Sequence, residues 1–252
     1  MATSPMPVAE PQASISSFGR IVGIFFSPKS TFADIVKKPS WIAPVVVLLL
    51  TGLLINGALI RNVNWTEASK EQIAKSKWAS SRIDQLDDAK KEQAYQQAAT
   101  QAKIWRYFRA VMGWPLALLF FSLIYFGAYR LIGGARVTYG LSFTILAFAS
   151  LPMAIREILG AIVAFFKDPT AIDPENYLVS NLAALMSSDT PAWKTVPLAF
   201  LDIFGIWALV LVAIGFAAAD PKKLPFGKSI GIAIGVNVSF MLFFTMIAWI
   251  FS

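Results

Sequence analysis

Five stretches of the sequence, approximately residues 42–60, 113–132, 140–162, 197–219 and 229–251, stay apolar for about the length a helix needs to cross a bilayer. A hydrocarbon layer about 30 Å thick takes roughly 20 helical residues. No water reaches the peptide groups there, and the stretches are too long and too uniformly apolar for the alternating strands of a barrel. The expectation is therefore all-α: a polytopic membrane helical bundle with five transmembrane helices and its two ends on opposite sides. Composition agrees, since 56% of the 252 residues are hydrophobic and only 15% are charged. Pro115, Pro152, Gly205 and Gly235, inside these stretches, point to kinks or close packing.

The same sequence narrows the chemistry. It contains no cysteine and no histidine, which removes disulfides, thiolate nucleophiles, imidazole bases and every Cys or His metal site. No nucleophile elbow, Gly-rich phosphate loop or EF-hand pattern is present. Asp168, Asp173 and Glu175 have the oxygen chemistry for calcium, but their spacing matches no ligand pattern and a solvated acidic loop is the simpler reading. No catalytic residue, cofactor or metal is expected. The net charge of +7 is spread over the hydrophilic segments without interleaved exposed aromatics, which suits lipid head groups rather than nucleic acid.

Residues 1–14 read as a disordered tail lacking the basic start and apolar core of a signal peptide, which leaves residues 15–252 as one membrane domain. Ile15, Phe18, Ile21, Val22 and Phe25 then recur at helical spacing. Ser27 followed by Pro28 starts a second short helix carrying Phe32, Ile35 and Val36. Both are expected to lie flat on the inner surface as interfacial helices, with Phe18, Arg20, Ile21, Phe25, Lys37 and Lys38 touching lipid. Residues 61–110 contain neither proline nor glycine and are rich in Ala, Gln, Lys, Glu and Asp. They predict a helical arm outside the membrane, folded on itself or lying on the bilayer. Residues 167–196 form a second large loop, acidic on balance.

Counting charges leaves the orientation open. With the N-terminus inside, nine basic residues face the cytoplasm, Lys222, Lys223 and Lys228 among them, against ten in the 61–110 arm and two in the 167–196 loop.

One stretch, "ASLPMAIREILGAI" at residues 149–162, places Arg156 beside Glu157 in an otherwise apolar run. Charges in hydrocarbon cost several kcal/mol each unless they pair, snorkel or face a polar cavity. The two lie about 100° apart around a helix and cannot face each other, and their neighbours three and four positions away are apolar or glycine. Any partner therefore comes from another helix. With the N-terminus inside, Arg156 lies roughly 25 Å along the third span, within reach of Asp202 near the outer start of the fourth. One reading is an Arg156–Asp202 ion pair joining the two helices, with Asn56 as a third member. The other has Arg156 and Glu157 snorkelling to water while Asp202 caps a helix start. Neither makes these residues catalytic.

"VGIFFSPKSTFADIVKKPSWIAP" before the first span, "SFTILAFASLP" in the third, and "FLDIFGIWALVLVAIGFAAA" ahead of a short basic turn resemble bacterial members of the Yip1 family. The resemblance covers nearly the whole chain except the 61–110 arm. It implies a five-helix integral membrane protein of the bacterial inner membrane, with its N-terminus in the cytoplasm, its C-terminus outside, and no known enzymatic reaction. Eukaryotic relatives act in vesicle trafficking and bind Rab-type GTPases. This chain lacks their long cytosolic N-terminal region and acidic Leu-Tyr-Gly-Pro motif, so GTPase binding does not carry over. The stretch Tyr139–Pro152 is similar to their Tyr-Gly-rich third-helix motif and is read as a packing element.

The functional expectation is a non-enzymatic membrane scaffold or adaptor that organises membrane proteins or lipids. Its expected partners are membrane lipids, membrane proteins not yet identified, and further copies of the same chain. The alternative is a small transporter or lipid-translocating protein using polar residues in helices 3 and 4, against which five spans offer no inverted repeat.

Overall fold

Peptide groups that cannot reach water close into helices, and helices are the only extended regular elements in the computed structural model, which describes residues 15–187 and 190–251. The tail expected over residues 1–14 lies outside the described residues. Ser16 caps α1 (Ser17–Phe26) by accepting from the amide of Gly19, and α2 (Pro28–Lys37) begins on a proline whose missing N–H is no loss in the first turn. There follow α3 (Ile42–Asn62), α4 (Trp65–Ala74), α5 (Lys77–Asp84) and α6 (Asp88–Leu131). Next come α7 (Tyr139–Ala149), α8 (Leu151–Phe166), α9 (Ala192–Ala199), α10 (Ile203–Ala219) and α11 (Phe226–Phe251).

Among the described residues, the segments long and apolar enough to cross a membrane are α3, α6, α7 with α8, and α11. The span expected over 197–219 takes a different form. Pro197 lies inside the separate helix α9, and α10 begins only at Ile203 and keeps 17 residues. The third span is also interrupted, because α7 ends at Ala149 and Pro152 stands in the first turn of α8 without an amide to continue the ladder. By contrast α6 runs unbroken for 44 residues through Pro115. At 1.5 Å per residue that is about 66 Å, roughly twice the hydrocarbon thickness. The 61–110 arm is helical, but its second half is the same helix as the second span, with α4 and α5 folded back towards it.

The N-terminal helices turn one face into the bundle. Ile24, Phe32 and Ile35 are fully buried in one core cluster with Leu48, Tyr129, Phe148 and Phe216. A Cβ on Gly215 would come within 2.5 Å of Ile145 and 2.9 Å of Phe32, so a glycine is what lets α2 and α7 close on α10. Arg20, expected against lipid, is buried instead. Its Nε donates to Asp34 Oδ2 at 2.7 Å and its Nη1 to the Lys38 carbonyl at 2.9 Å. The guanidinium thereby clips α1 to α2, since a buried charge needs a partner and Asp34 supplies one. Ile21 and Phe25 are half-buried against the core, Phe25 meeting Trp207 edge-on at 5.5 Å. Of the six residues expected against lipid, Phe18, Lys37 and Lys38 are exposed.

At the same end, Tyr129 stacks on Phe216 with 3.8 Å between ring centres, and its hydroxyl donates to the Ser229 carbonyl at 2.8 Å. Ser229 Oγ in turn donates to the Ala213 carbonyl at 2.7 Å, tying α6, α10 and α11 together. Because α2 belongs to this core, Phe32→Ala should lower stability by roughly 3–5 kcal/mol, read as a fall in the melting temperature of the detergent-purified protein. A melting temperature equal to that of the parent would return α2 to the membrane surface.

Candidate functional site

Asp202 follows α9 with extended backbone and serves as the N-cap of α10. Its Oδ1 accepts from the amides of Phe204 at 2.9 Å and Gly205 at 3.0 Å, two donors that the helix itself cannot satisfy. Its Oδ2 accepts from Ser180 Oγ and lies 3.4 Å from Arg156 Nε. Arg156 Nε also donates to Ser180 Oγ at 3.3 Å, and Nη1 donates to the Tyr177 hydroxyl at 3.0 Å. The guanidinium carbon stands 4.8 Å from the centre of the Tyr177 ring, a cation–π contact. The ring in turn packs on α8 over Gly160, where any Cβ would overlap it. Burial raises the Tyr177 hydroxyl above its ordinary pKa, and the Arg156 charge opposes that rise. A hydrogen bond from the Ile203 amide to the Ser180 carbonyl at 3.0 Å completes the junction.

The structure thus brings Arg156 and Asp202 together, and Asp202 caps α10 with the same carboxylate. Pairing and capping were alternatives in the sequence, yet a carboxylate has two oxygens and Asp202 uses one for each. Glu157 is elsewhere. Its carboxylate accepts from Thr51 Oγ1 of α3 at 2.5 Å and from Trp114 Nε1 of α6 at 2.8 Å, so it neither snorkels nor joins Asp202. Asn56, expected as a third member, donates to the Gly52 carbonyl of its own helix at 2.8 Å, and its buried Oδ1 has no hydrogen-bond partner. Tyr177, Ser180, Thr51 and Trp114 escaped the sequence reading. Thr51 and Trp114 are donors within apolar runs, which an isolated intramembrane carboxylate requires; nothing marks Tyr177 or Ser180 in a polar loop.

A second set of contacts joins the arm to the 167–196 loop. Arg106, whose side chain is buried, donates to Glu175 at 2.6 Å and to the Pro174 carbonyl, while Arg109 reaches the other Glu175 oxygen at 3.3 Å. The acidic residues weighed for calcium are engaged in turns and in these pairs. Asp168 accepts from the Thr170 amide and hydroxyl at 2.8 and 2.6 Å, bonds that hold its carboxyl below the usual range, and Asp173 accepts from the Glu175 amide at 2.9 Å. Among the described residues no group of acidic side chains is placed to hold a metal ion.

Loss of one partner from the node leaves the other charge buried. Arg156→Gln should therefore lower stability by about 3–5 kcal/mol. Asp202→Asn keeps an oxygen for the α10 amides and should melt above Asp202→Ala, which also loses the cap, worth roughly 0.5–2 kcal/mol. The reciprocal exchange, Arg156→Asp with Asp202→Arg, should regain only part of the loss, because arginine cannot accept from amides. Melting of the variants in detergent checks the order, and equal melting of all of them would reduce the node to a boundary marker.

A model of the Yip1 domain matches residues 22–250. The membrane protein YknW of Bacillus subtilis (strain 168) is 28% identical over 227 residues, a stretch that covers 88% of each chain. No solved structure matches the chain. The domain match begins within α1, ends within α11 and takes in both the node and the arm, so this multi-pass helical membrane protein belongs to the Yip1 family.

Proposed function

We propose that the chain is a non-enzymatic scaffold or adaptor of the bacterial inner membrane, with five spans, its N-terminus in the cytoplasm and its C-terminus outside, and that it organises other membrane proteins or lipids. The observation that carries this reading is the tie between its two extramembrane segments. Arg106 and Arg109 on α6 both engage Glu175 of the 167–196 loop, so arm and loop present one surface rather than two independent flaps. On the arm Trp78, Trp105 and Tyr107 are 65%, 64% and 61% exposed. Tryptophan, tyrosine and arginine are the residues that dominate protein recognition surfaces. The charges inside the bundle support the same reading, because Arg156, Glu157 and Asp202 are each bonded to a neighbouring element. The transport alternative needs a polar path past Arg156 and Asp202, whose side chains are engaged with each other and with Ser180.

Two measurements bear on this. Ser81, exposed on α5, provides a position for a single thiol in a cysteine-free chain. Ser81→Cys should react with an impermeant maleimide in intact cells, and reaction only after permeabilisation would invert the molecule. A photo-crosslinking residue in place of Trp105 should give a discrete protein adduct in native membranes, weakened by Arg106→Gln, with twice the chain mass if the partner is a second copy. Adducts to lipid alone, together with solute uptake or lipid flipping by the purified protein in liposomes, would favour the transporter instead.

A further inference from the structure

We propose that the cleft beneath the 167–196 loop binds a zwitterionic phospholipid from the membrane leaflet on that side, with its head group beside Arg156 and the first few methylenes of one acyl chain reaching inward between α6, α10 and α11. Two cavities meet there. The one nearer the loop, about 760 Å³, carries charges of both signs on its wall, Lys75, Arg156 and Lys167 together with Glu71, Asp173, Glu175 and Asp202. The deeper one, about 160 Å³, is lined by apolar and aromatic side chains such as Leu118, Leu146, Leu209 and Val212. Gly205 and Asn237 line both cavities and form the neck between them.

Each zone matches one part of such a lipid. In the outer zone Arg156 uses Nε and Nη1 on Ser180, Asp202 and Tyr177, which leaves Nη2 for a phosphate oxygen, and the carboxylates of Glu71 and Asp173 suit an ammonium group. At the neck Asn237 is an amide side chain in the largely apolar α11, half-buried and without a hydrogen bond among the described residues. An amide with no partner at membrane depth is costly. The ester carbonyl that separates a phospholipid head group from its chain falls at that depth and accepts from it. Beyond Asn237 and Ser150 the deeper zone offers an acyl chain mainly apolar contact. A wholly polar solute leaves the inner zone unmatched, and a wholly apolar one leaves seven charged residues facing it.

Gly205 supplies the test. A Cβ there comes no nearer than 3.6 Å to Asp202, so Gly205→Ala fits, whereas Gly205→Leu extends into the neck. Full-length protein in vesicles of phosphatidylethanolamine and phosphatidylglycerol, containing a phosphatidylethanolamine with a photoreactive acyl chain, should crosslink at the walls of the deeper cavity. Gly205→Leu should abolish that crosslink and Gly205→Ala preserve it. Asn237→Leu, which keeps the test if Gly205→Leu fails to fold, should weaken it about tenfold, the worth of one hydrogen bond to a buried polar group. Unlabelled phosphatidylethanolamine should compete, and free glycerophosphoethanolamine should not. Full crosslinking in a folded Gly205→Leu protein would overturn the site. Equal competition by phosphatidylglycerol would overturn its zwitterionic character, and competition by the free head group would make it a site for polar solutes. A scaffold without this site still captures its partners through the arm, so the two readings fail separately.

Discussion

The carboxylate of Asp202 accepts from two amides at the start of α10, from the Ser180 hydroxyl and from the Arg156 guanidinium. A carboxylate at the edge of a hydrocarbon layer is tolerated only when its oxygens are satisfied in this way, and a helix start buried nearby needs acceptors for its orphan amides. One side chain answers both needs. In doing so it fixes where α10 begins, holds the 167–196 loop against α8, and makes α10 shorter than the apolar stretch 197–219. Tyr177, laid over Gly160 by the same arginine, extends the junction to α8. Glu157, one residue on, faces about 100° away and serves α3 and α6, so two adjacent charges connect separate sets of helices.

The opposite end of the bundle is organised by apolar packing. There α2 enters the core through Phe32 and Ile35, while Tyr129, Phe216 and Ser229 join α6, α10 and α11. Arg20 and Asp34 keep the N-terminal helix pair shut over that core. The chain thus has an apolar end closed by its own N-terminus and a polar end where arm, loop and cleft meet. Contacts with other molecules are expected at the polar end, since the surface there is both tied in place and chemically varied.

Hydropathy and periodicity made the helices legible, because a membrane admits few other structures and the apolar runs are long. Boundaries were less so. The junction of α6 near residue 110 is a change in polarity and not in backbone preference, so a reading by hydropathy divided one helix into an arm and a span. Arg20 looked like a surface residue because amphipathic helices usually carry arginine at the lipid head groups. Its partner Asp34 lies across the turn at Ser27, and only the closure of α1 on α2 brings the two together. Arg156 and Asp202 could be matched by depth along their helices, a one-dimensional argument that needs no tertiary detail. Ser180 and Tyr177 could not, since an irregular loop has no period from which to place a side chain. Asn56 shows the limit of matching by depth: depth puts it at the node, yet it bonds back to its own helix through Gly52.

If Asp202 and Arg156 together set the start of α10, then the amides of Ile203, Phe204 and Gly205 report on the node directly. Hydrogen exchange of the protein in lipid nanodiscs, compared between the parent and Arg156→Met, measures them. Faster exchange at these three amides with unchanged exchange around Ser229 is the result this account requires. Exchange that is unaltered at the α10 start, or that rises equally at both ends of the bundle, would contradict it.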